Sequence, residues 1–386
     1  MRQYPGDTEL MGAESAPDTE LNKAYTMGTI LLGTRAITKD ILFSNGLFQN
    51  VLNLYDMFES MGYKCYCLVN EKVGAEQLGD MLKRYRWIEP EDVVQRPFPI
   101  RIYIEIGMSI DTMFRDFLKR GGTKIVKLYL GNILNIDGEM SMKNKDVLFA
   151  HHVPGYIDEV WTSPHYGQNM DYMALVNRFG VKERKAKIAP YVWSDQFLDK
   201  SVKWIEEGVR DIVICEPNIS FQKMFLFPLL LANEYAMTHP EWKGKIHLMN
   251  MDNIKYNSHA MNNVLSSLYL WKEGRILLEG RKSICEMMKD YNGSVFLCHQ
   301  WANDFNYMTF ELMSCGFPVL HNSSCWREYG YAWNEDKWDE SLITLDGAIK
   351  SHGKNMSIYK GHAVLLSQDY SIYNYHTRAE WSELLV

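Results

Sequence analysis

Between Thr29 and Val69 the chain runs through a short apolar stretch, a polar loop, a helix-spaced stretch, a glycine and a second apolar stretch. Residues 29–33 (Thr-Ile-Leu-Leu-Gly) read as a buried strand. Ser44-Asn45-Gly46-Leu47 is a loop signal, after which Val51, Leu52, Leu54, Tyr55 and Phe58 recur at helical spacing. Gly62 stops that helix and residues 63–69 form the next strand. Two strands joined by a helix-length crossover pair in parallel, and a parallel sheet needs helices on both faces. This βαβ unit therefore restricts the chain to an α/β architecture. The alternation continues with strands at 101–106 and 124–129 around a helix at 111–119. A strand at 159–162, a helix at 170–177 and a strand at 187–192 follow.

The pattern then restarts. Strands are expected at 211–215, 245–249, 275–278, 294–298 and 318–321, with helices at 220–239, 264–271, 283–291 and 307–314 between them. No segment repeats another in sequence, but the architecture is repeated, with a joint near 193–208. The expected division is a loose N-terminal extension (1–26), a first Rossmann-like domain (27–195), a second (196–368) and a C-terminal segment (369–386). At about 150 residues per domain, 386 residues suit two such units. With 46% hydrophobic residues each can bury a core.

Charge and cysteine usage narrow the class. The net charge is −7 and no Lys/Arg run occurs, which argues against a dedicated nucleic-acid binder. No apolar run reaches about 18 residues, and the first 21 residues are polar and acidic, unlike a signal peptide or membrane anchor. The seven cysteines are odd in number and lack a C-x-x-C pair. They read as buried reduced thiols rather than a zinc site or disulfide framework. The expectation is a soluble protein of a reducing compartment, the cytoplasm.

Two doubly wound sheets in tandem place a ligand cleft at the carboxyl ends of their strands. After strand 211–215 comes Glu216-Pro-Asn-Ile-Ser-Phe-Gln-Lys223, leading into the expected helix 220–239. That helix N-terminus suits a phosphate, and Lys223 is either its point charge or a solvated first-turn lysine. A second segment ends a strand at His299, passes a polar loop, carries Glu311 on a helix and turns through Gly316-Phe-Pro318. Glu311 is either a ribose-diol acceptor or an exposed helix carboxylate. Glu105 ends a strand before Gly107, an awkward place for a core carboxylate and a natural one at a cleft rim. With Glu139, His151 and His152 it is a candidate general base. No D-x-D follows a strand and no Cys/His set has ligand spacing, so no metal is expected. The absence of G-x-G-x-x-G after the first strand disfavours a dinucleotide oxidoreductase.

The stretch from Tyr307 to Asn322 resembles the donor-sugar segment of GT-B glycosyltransferases, in which a helix glutamate precedes Ala-x-Gly-x-Pro-Val-Ile. Residues 216–223 occupy the slot of the Gly-Arg-Leu and lysine of many retaining members. An ordered set is similar to a little-characterised GT-B-like family of bacteria and large DNA viruses. The set comprises Phe43 to Asn50, Ile104 to Gly107, Tyr129 to Asn132 with Glu139, Val160-Trp161, Pro190 to Trp193, Glu216 to Asn218, and His299 to Ser323. The resemblance implies that Lys223 and Asn218 hold a donor diphosphate and that Glu311 binds the nucleotide ribose. It places His299, Asn303, Asp304, Phe305 and Asn306 around the sugar, with the helix N-terminus at Phe305, Asn306 and Tyr307 facing the phosphates. Asn45 and Gly46 would approach those phosphates from the first domain, and Asn132 and Glu139 would lie on the acceptor side.

Two departures accompany it. Asn303 stands where retaining enzymes carry the first glutamate of Glu-x7-Glu, with Asp304 next to it as a substitute, and Asn218 stands where arginine is usual. The implied function is metal-independent sugar transfer from a UDP- or GDP-type donor to a glycan, glycoprotein or other hydroxyl acceptor, with no further cofactor. Peripheral membrane association is compatible with it, and the oligomeric state is open. The catalytic candidates are Glu105, His151, His152 and Asp304. A nucleotide-sugar epimerase of the same fold, or a catalytically silent binding or assembly relative, are the alternatives. The last helix would cross back to the first domain.

Overall fold

The structure, a computed structural model, describes residues 25–143, 152, 155–206, 210–304 and 306–386. Most of the expected N-terminal extension, His151 and Phe305 therefore lie outside the described residues. The chain forms two parallel sheets flanked by helices, the two-domain α/β arrangement of GT-B proteins. The first contains β1 (Thr29–Gly33), β2 (Lys64–Leu68), β3 (Trp87–Ile88), β4 (Ile102–Glu105), β5 (Lys124–Tyr129), β6 (Glu159–Thr162) and β7 (Ala186–Ile188), in the order β3-β2-β1-β4-β5-β6-β7. The second contains β8 (Ile212–Ile214), β9 (Ile246–Leu248), β10 (Ile276–Leu278), β11 (Val295–Leu297), β12 (Val319–His321) and β13 (Tyr331–Ala332), in the order β10-β9-β8-β11-β12-β13. Every pairing within these sheets is parallel.

Both faces of each sheet are buried, as parallel strands require. Along β1, Ile30 and Leu32 join one core while Leu31 joins the other. In each sheet the strand order reverses once, between β1 and β4 and between β8 and β11, and residues following all four of these strands line one cavity. The helix Tyr375–Leu384 packs on the first sheet's core. Trp381 lies edge-on to Phe58 and Trp161 and donates from Nε1 to the carbonyl of Pro190 at 3.0 Å. No helix among the described residues is long and apolar enough to cross a membrane.

Several features differ from the sequence expectation: the helix expected at 264–271 is α-helical only over Tyr269–Lys272, the strand expected at 187–192 spans Ala186–Ile188, and helices Ala75–Leu82, Pro90–Gln95 and Ile133–Lys143 are additional. β3 and β13, two residues each, are too short to carry a periodic signal. The helix expected at 220–239 begins only at Leu226. Asn218 sits at φ 57° and its Oδ1 accepts from the amide of Phe225 at 2.9 Å, while Ser220 and Lys223 pair across a tight turn. These contacts hold residues 218–225 as a loop, so Lys223 stands before the helix rather than on its first turn.

Candidate active site

Two helices present their N-termini to the cleft between the sheets. Gly46–Ser60 is capped by Asn45, whose Oδ1 accepts from Leu47 N at 3.0 Å. Tyr307–Ser314 is capped by Asn306, whose Oδ1 accepts from Met308 N at 3.1 Å. Each cap satisfies one orphan amide and leaves the positive end of the helix dipole toward the cleft. The helices approach so closely that a Cβ on Gly46 would lie 2.8 Å from the Tyr307 ring, which only glycine avoids.

Side chains bridge the cleft on either side of this contact. Gln49 donates to Glu311 at 2.7 Å, Asn50 to the Tyr307 hydroxyl at 3.1 Å and Asn132 to the carbonyl of Ala302 at 2.6 Å. Tyr166 donates to Asn303 at 2.5 Å, and Glu139 accepts from Ser220 Oγ and Phe221 N at 2.9 and 2.8 Å. Arg281 donates to the carbonyl of Ser44 at 2.6 Å. The two domains are thus closed on each other.

Two cavities remain, and both are lined by Asn45, Gly46, Pro217, Ile219, Lys223, Asn306 and Tyr307. The smaller, about 540 Å³, also takes Gln49, Glu216, Asn250, Arg281, Ser283, Gln300 and Glu311. The larger, about 800 Å³, is lined on the first-domain side by residues following β4 and β5 together with Glu139. Lys223, a half-buried residue, lines both cavities, and its ammonium makes no hydrogen bond or ion pair among the described residues. Burial lowers its pKa, opposed by the nearby Glu216 carboxylate. Glu216 and Glu311 are themselves buried, and desolvation pushes each carboxyl up to about 7. Hydrogen bonds work against that shift, from His299 N and Gln300 to Glu216 and from Gln49 to Glu311.

The cleft thus gathers Asn45, Gly46, Glu139, Lys223, Asn303, Asn306, Tyr307 and Glu311 from the sequence candidates. Others stand apart from it. Glu105 is not at the rim. It is fully buried and neutralised by Lys127 at 2.7 Å and Arg115 at 3.3 Å, so its carboxylate is structural. His152 is buried with both ring nitrogens engaged, by Tyr129 at 2.7 Å and Asp137 at 2.8 Å, and does not line either cavity. Asp304 accepts from Ser324 N at 3.0 Å, bracing the loop after β12. Asn218 spends its side chain on Phe225 N and the carbonyl of Met249 rather than on a ligand. His299 is fully buried against Phe227 at 4.7 Å, without a hydrogen bond to either ring nitrogen among the described residues, and burial lowers its pKa to about 4. Asn132 is consumed by Ala302, Asn135 and Asn169.

Sequence reasoning passed over Glu216, Gln49, Asn50 and Gln222. The argument applied to Glu105, a carboxylate just past a strand's carboxyl end, applies equally to Glu216 and would have found it. Asn50 and Asn53, three apart on the inward face of a helix, were a legible polar interruption of an apolar stripe.

No curated protein matches this sequence. Solved structures match across nearly the whole chain. A glycosyltransferase from Rickettsia africae ESF-5 is 11% identical, with a TM-score of 0.60, over 94% of this chain and 98% of its own. HepE of Anabaena, solved with UDP and glucose, is 12% identical, with a TM-score of 0.59, over 92% and 99%. An alpha,alpha-trehalose 6-phosphate synthase from Burkholderia multivorans is 10% identical, with a TM-score of 0.60, over 93% and 98%. At such identities the likeness establishes the glycosyltransferase-like fold. Residues 30–385 match the family described as "Protein of unknown function (DUF2827)", and the chain belongs to that family.

Proposed function

We propose that the protein is a glycosyltransferase that binds a nucleoside-diphosphate sugar in the smaller cavity and passes its sugar to a hydroxyl acceptor in the larger one. The observation that carries this reading is Lys223, an ammonium without an ion pair among the described residues, which lines both cavities beside two asparagine-capped helix N-termini. A diphosphate placed there meets a cation and two dipole ends pointing at it. Glu311, four residues into the helix behind Tyr307, suits the two hydroxyls of a ribose, and Gln49 is the partner that the ribose would displace.

In the transfer, the acceptor oxygen bonds to the anomeric carbon while the bond from that carbon to the diphosphate oxygen breaks. The electron pair leaves with the nucleoside diphosphate. Lys223 and the helix ends stabilise the developing charge, the role a metal ion plays elsewhere. The acceptor's proton passes to Glu139, the carboxylate that lines the acceptor cavity. Closure of the two domains keeps water from competing for the sugar.

UDP is the first probe, because HepE was solved with UDP and glucose. Calorimetric titration of the wild type with UDP, and of GDP beside it, should show one site. Product analysis of UDP-glucose incubated without acceptor should show slow hydrolysis. Conversion of the sugar instead would establish an epimerase, and no binding of either nucleotide would overturn the proposal.

A further inference from the structure

Among the described residues no three His, Cys, Asp or Glu side chains are placed to hold a metal ion. Sulfur, however, gathers beside the smaller cavity. Strand β8 pairs with β11 in parallel, Ile212 against Val295 and Val213 against Phe296. The same register, continued past the strand ends, sets Cys215 opposite Cys298, and adjacent strands lie about 4.8 Å apart. Both cysteines join the core that holds Val213 and Phe296, so the two thiols share one face of the sheet. The Cys298 thiol is hydrogen-bonded to Cys215, and Cys215 Sγ donates to Met308 Sδ at 3.1 Å. Two strand ends and the helix Tyr307–Ser314 thus bring three sulfur atoms into one chain of contacts.

Access and charge make this chain a ligand set. Cys215 and Met308 line the smaller cavity, which gives an ion a way in, while Cys298 is 1% exposed. A thiol must lose its proton to bind a metal, and a buried thiolate is costly unless a cation is near. Lys223 is that cation, close enough to Cys298 to favour its ionised form. Two thiolates and a thioether are soft donors, and such a set selects Cu(I) over the oxygen-seeking magnesium, calcium and manganese ions. Methionine is flexible, so its sulfur can draw back to admit the ion.

We infer that Cys215, Cys298 and Met308 form a site for one soft monovalent metal ion, Cu(I), in the wall of the smaller cavity, and that its occupation opposes binding of a diphosphate at Lys223. On binding, the two thiols release two protons to solvent, two thiolate bonds and one thioether bond to the ion form, and the copper keeps its oxidation state. The filled site carries one net negative charge, and that charge holds the Lys223 ammonium that a diphosphate would otherwise meet. The metal site stands on the sulfur geometry, whereas the antagonism rests on the reading of Lys223 as the diphosphate's cation.

Anaerobic titration of the reduced full chain with Cu(I), in competition with bicinchoninate, tests this. The wild type should hold one Cu(I) per chain. Cys215→Ser and Cys298→Ser should each weaken it by about 100-fold and Met308→Leu by about tenfold, the scale of loss seen when a metal site's surroundings are altered. Cys285→Ser should leave it unchanged. Thermal unfolding reports whether each variant folds, and because leucine conserves the volume of methionine, Met308→Leu decides if neither serine variant does. Copper retained in both serine variants overturns the inference, as does an unchanged affinity in Met308→Leu or a wild type that yields all its copper to bicinchoninate. Saturating UDP should weaken Cu(I) binding about fivefold or more, and Cu(I) should weaken UDP binding by the same factor. Failure of UDP to bind by calorimetry would remove the transferase reading and leave the copper affinities to decide the site. UDP that binds without changing the copper affinity would overturn the antagonism alone.

Discussion

The two cavities share a wall of Asn45, Gly46, Lys223, Asn306 and Tyr307, yet the balance of their remaining linings differs, mixed polar and apolar in the smaller and mainly apolar in the larger. The smaller collects Glu216, Glu311, Gln49, Asn250, Gln300 and Arg281, and the larger collects leucine, isoleucine and methionine. The difference follows from which strand ends feed each one. Loops after β8 and β11 carry polar side chains with buried backbone partners, as in Glu216 with His299 N. The segment after β4 supplies Ile106, and the segment after β5 runs into Ile133, Ile136 and Met140 of helix Ile133–Lys143. A ligand that bridges the junction is therefore charged and hydrogen-bonded on one side and hydrophobic on the other.

Lys223→Ala should break this division most severely. It removes a cation that lines both cavities, and a charged hydrogen bond of about 2–3 kcal/mol corresponds to a 30- to 150-fold loss of UDP affinity by calorimetry. A loss of less than threefold would mean that the diphosphate lies elsewhere.

Gly46→Ala should come next, because it attacks the contact that keeps the cavities separate. The added Cβ meets the Tyr307 ring at 2.8 Å, and that ring is fixed by its hydroxyl's bonds to Val192 and Asn50. Overpacking of this kind costs about 1–3 kcal/mol. The expected outcome is a lower unfolding midpoint together with weaker UDP binding, and unchanged values of both would show that the helices separate freely.

The acidic residues show where sequence reading succeeds and where it stops. Glu311 was legible because its helix, the Gly-Phe-Pro turn and the following strand are local patterns, and helix Tyr307–Ser314 has the bounds its sequence pattern predicts. Glu105 and Glu216 look alike locally, each a carboxylate at or just past a strand's end. What separates them is tertiary: Lys127 and Arg115 form ion pairs with Glu105, whereas Glu216 accepts hydrogen bonds from His299 N and Gln300, lies near Lys223 and borders a cavity. No spacing rule reveals that difference. The misplaced start of the helix before Leu226 has a local cause, since the Asn218 turn interrupts an apolar pattern (Phe221, Met224, Phe225) that continues smoothly into the helix.

The polar cavity should also respond to pH in a way the aliphatic one does not. Burial raises Glu311 and Glu216 from 4.5 to about 7. Both hold a proton more tightly folded than unfolded, so the stability they contribute is complete below about pH 4.5 and is lost as pH rises through 7. Ribose recognition has the opposite sign, because the ionised carboxylate is the better acceptor for two hydroxyls. UDP-glucose, whose diphosphate does not titrate in this range, should bind about tenfold more tightly at pH 8 than at pH 6. Glu216, Lys223, Arg281, Lys282 and Glu286 line the same cavity, so the assignment needs Glu311→Gln to flatten the profile. A slope that survives in Glu311→Gln and disappears in Glu216→Gln would move ribose binding to Glu216.

The smallest effects come from the two caps, and they compare the domains directly. Asn45→Ala and Asn306→Ala each remove one bond to an orphan helix amide and should each lower stability by about 1 kcal/mol. Their consequences for ligand should differ. The helix behind Asn306 has only eight residues and carries Glu311, so loosening its first turn displaces the ribose-binding carboxylate. The helix behind Asn45 has fifteen residues and carries Gln49, a neutral partner that the ribose replaces. UDP affinity should therefore fall several-fold further in Asn306→Ala than in Asn45→Ala. The double variant then measures what passes between the helices. Independent sites add within about 0.3–0.5 kcal/mol, whereas residues sharing a contact do not. Additive stability losses would mean that the Gly46–Tyr307 approach is mere proximity. A coupling beyond that range would show that each domain's cap holds the other domain's helix in place.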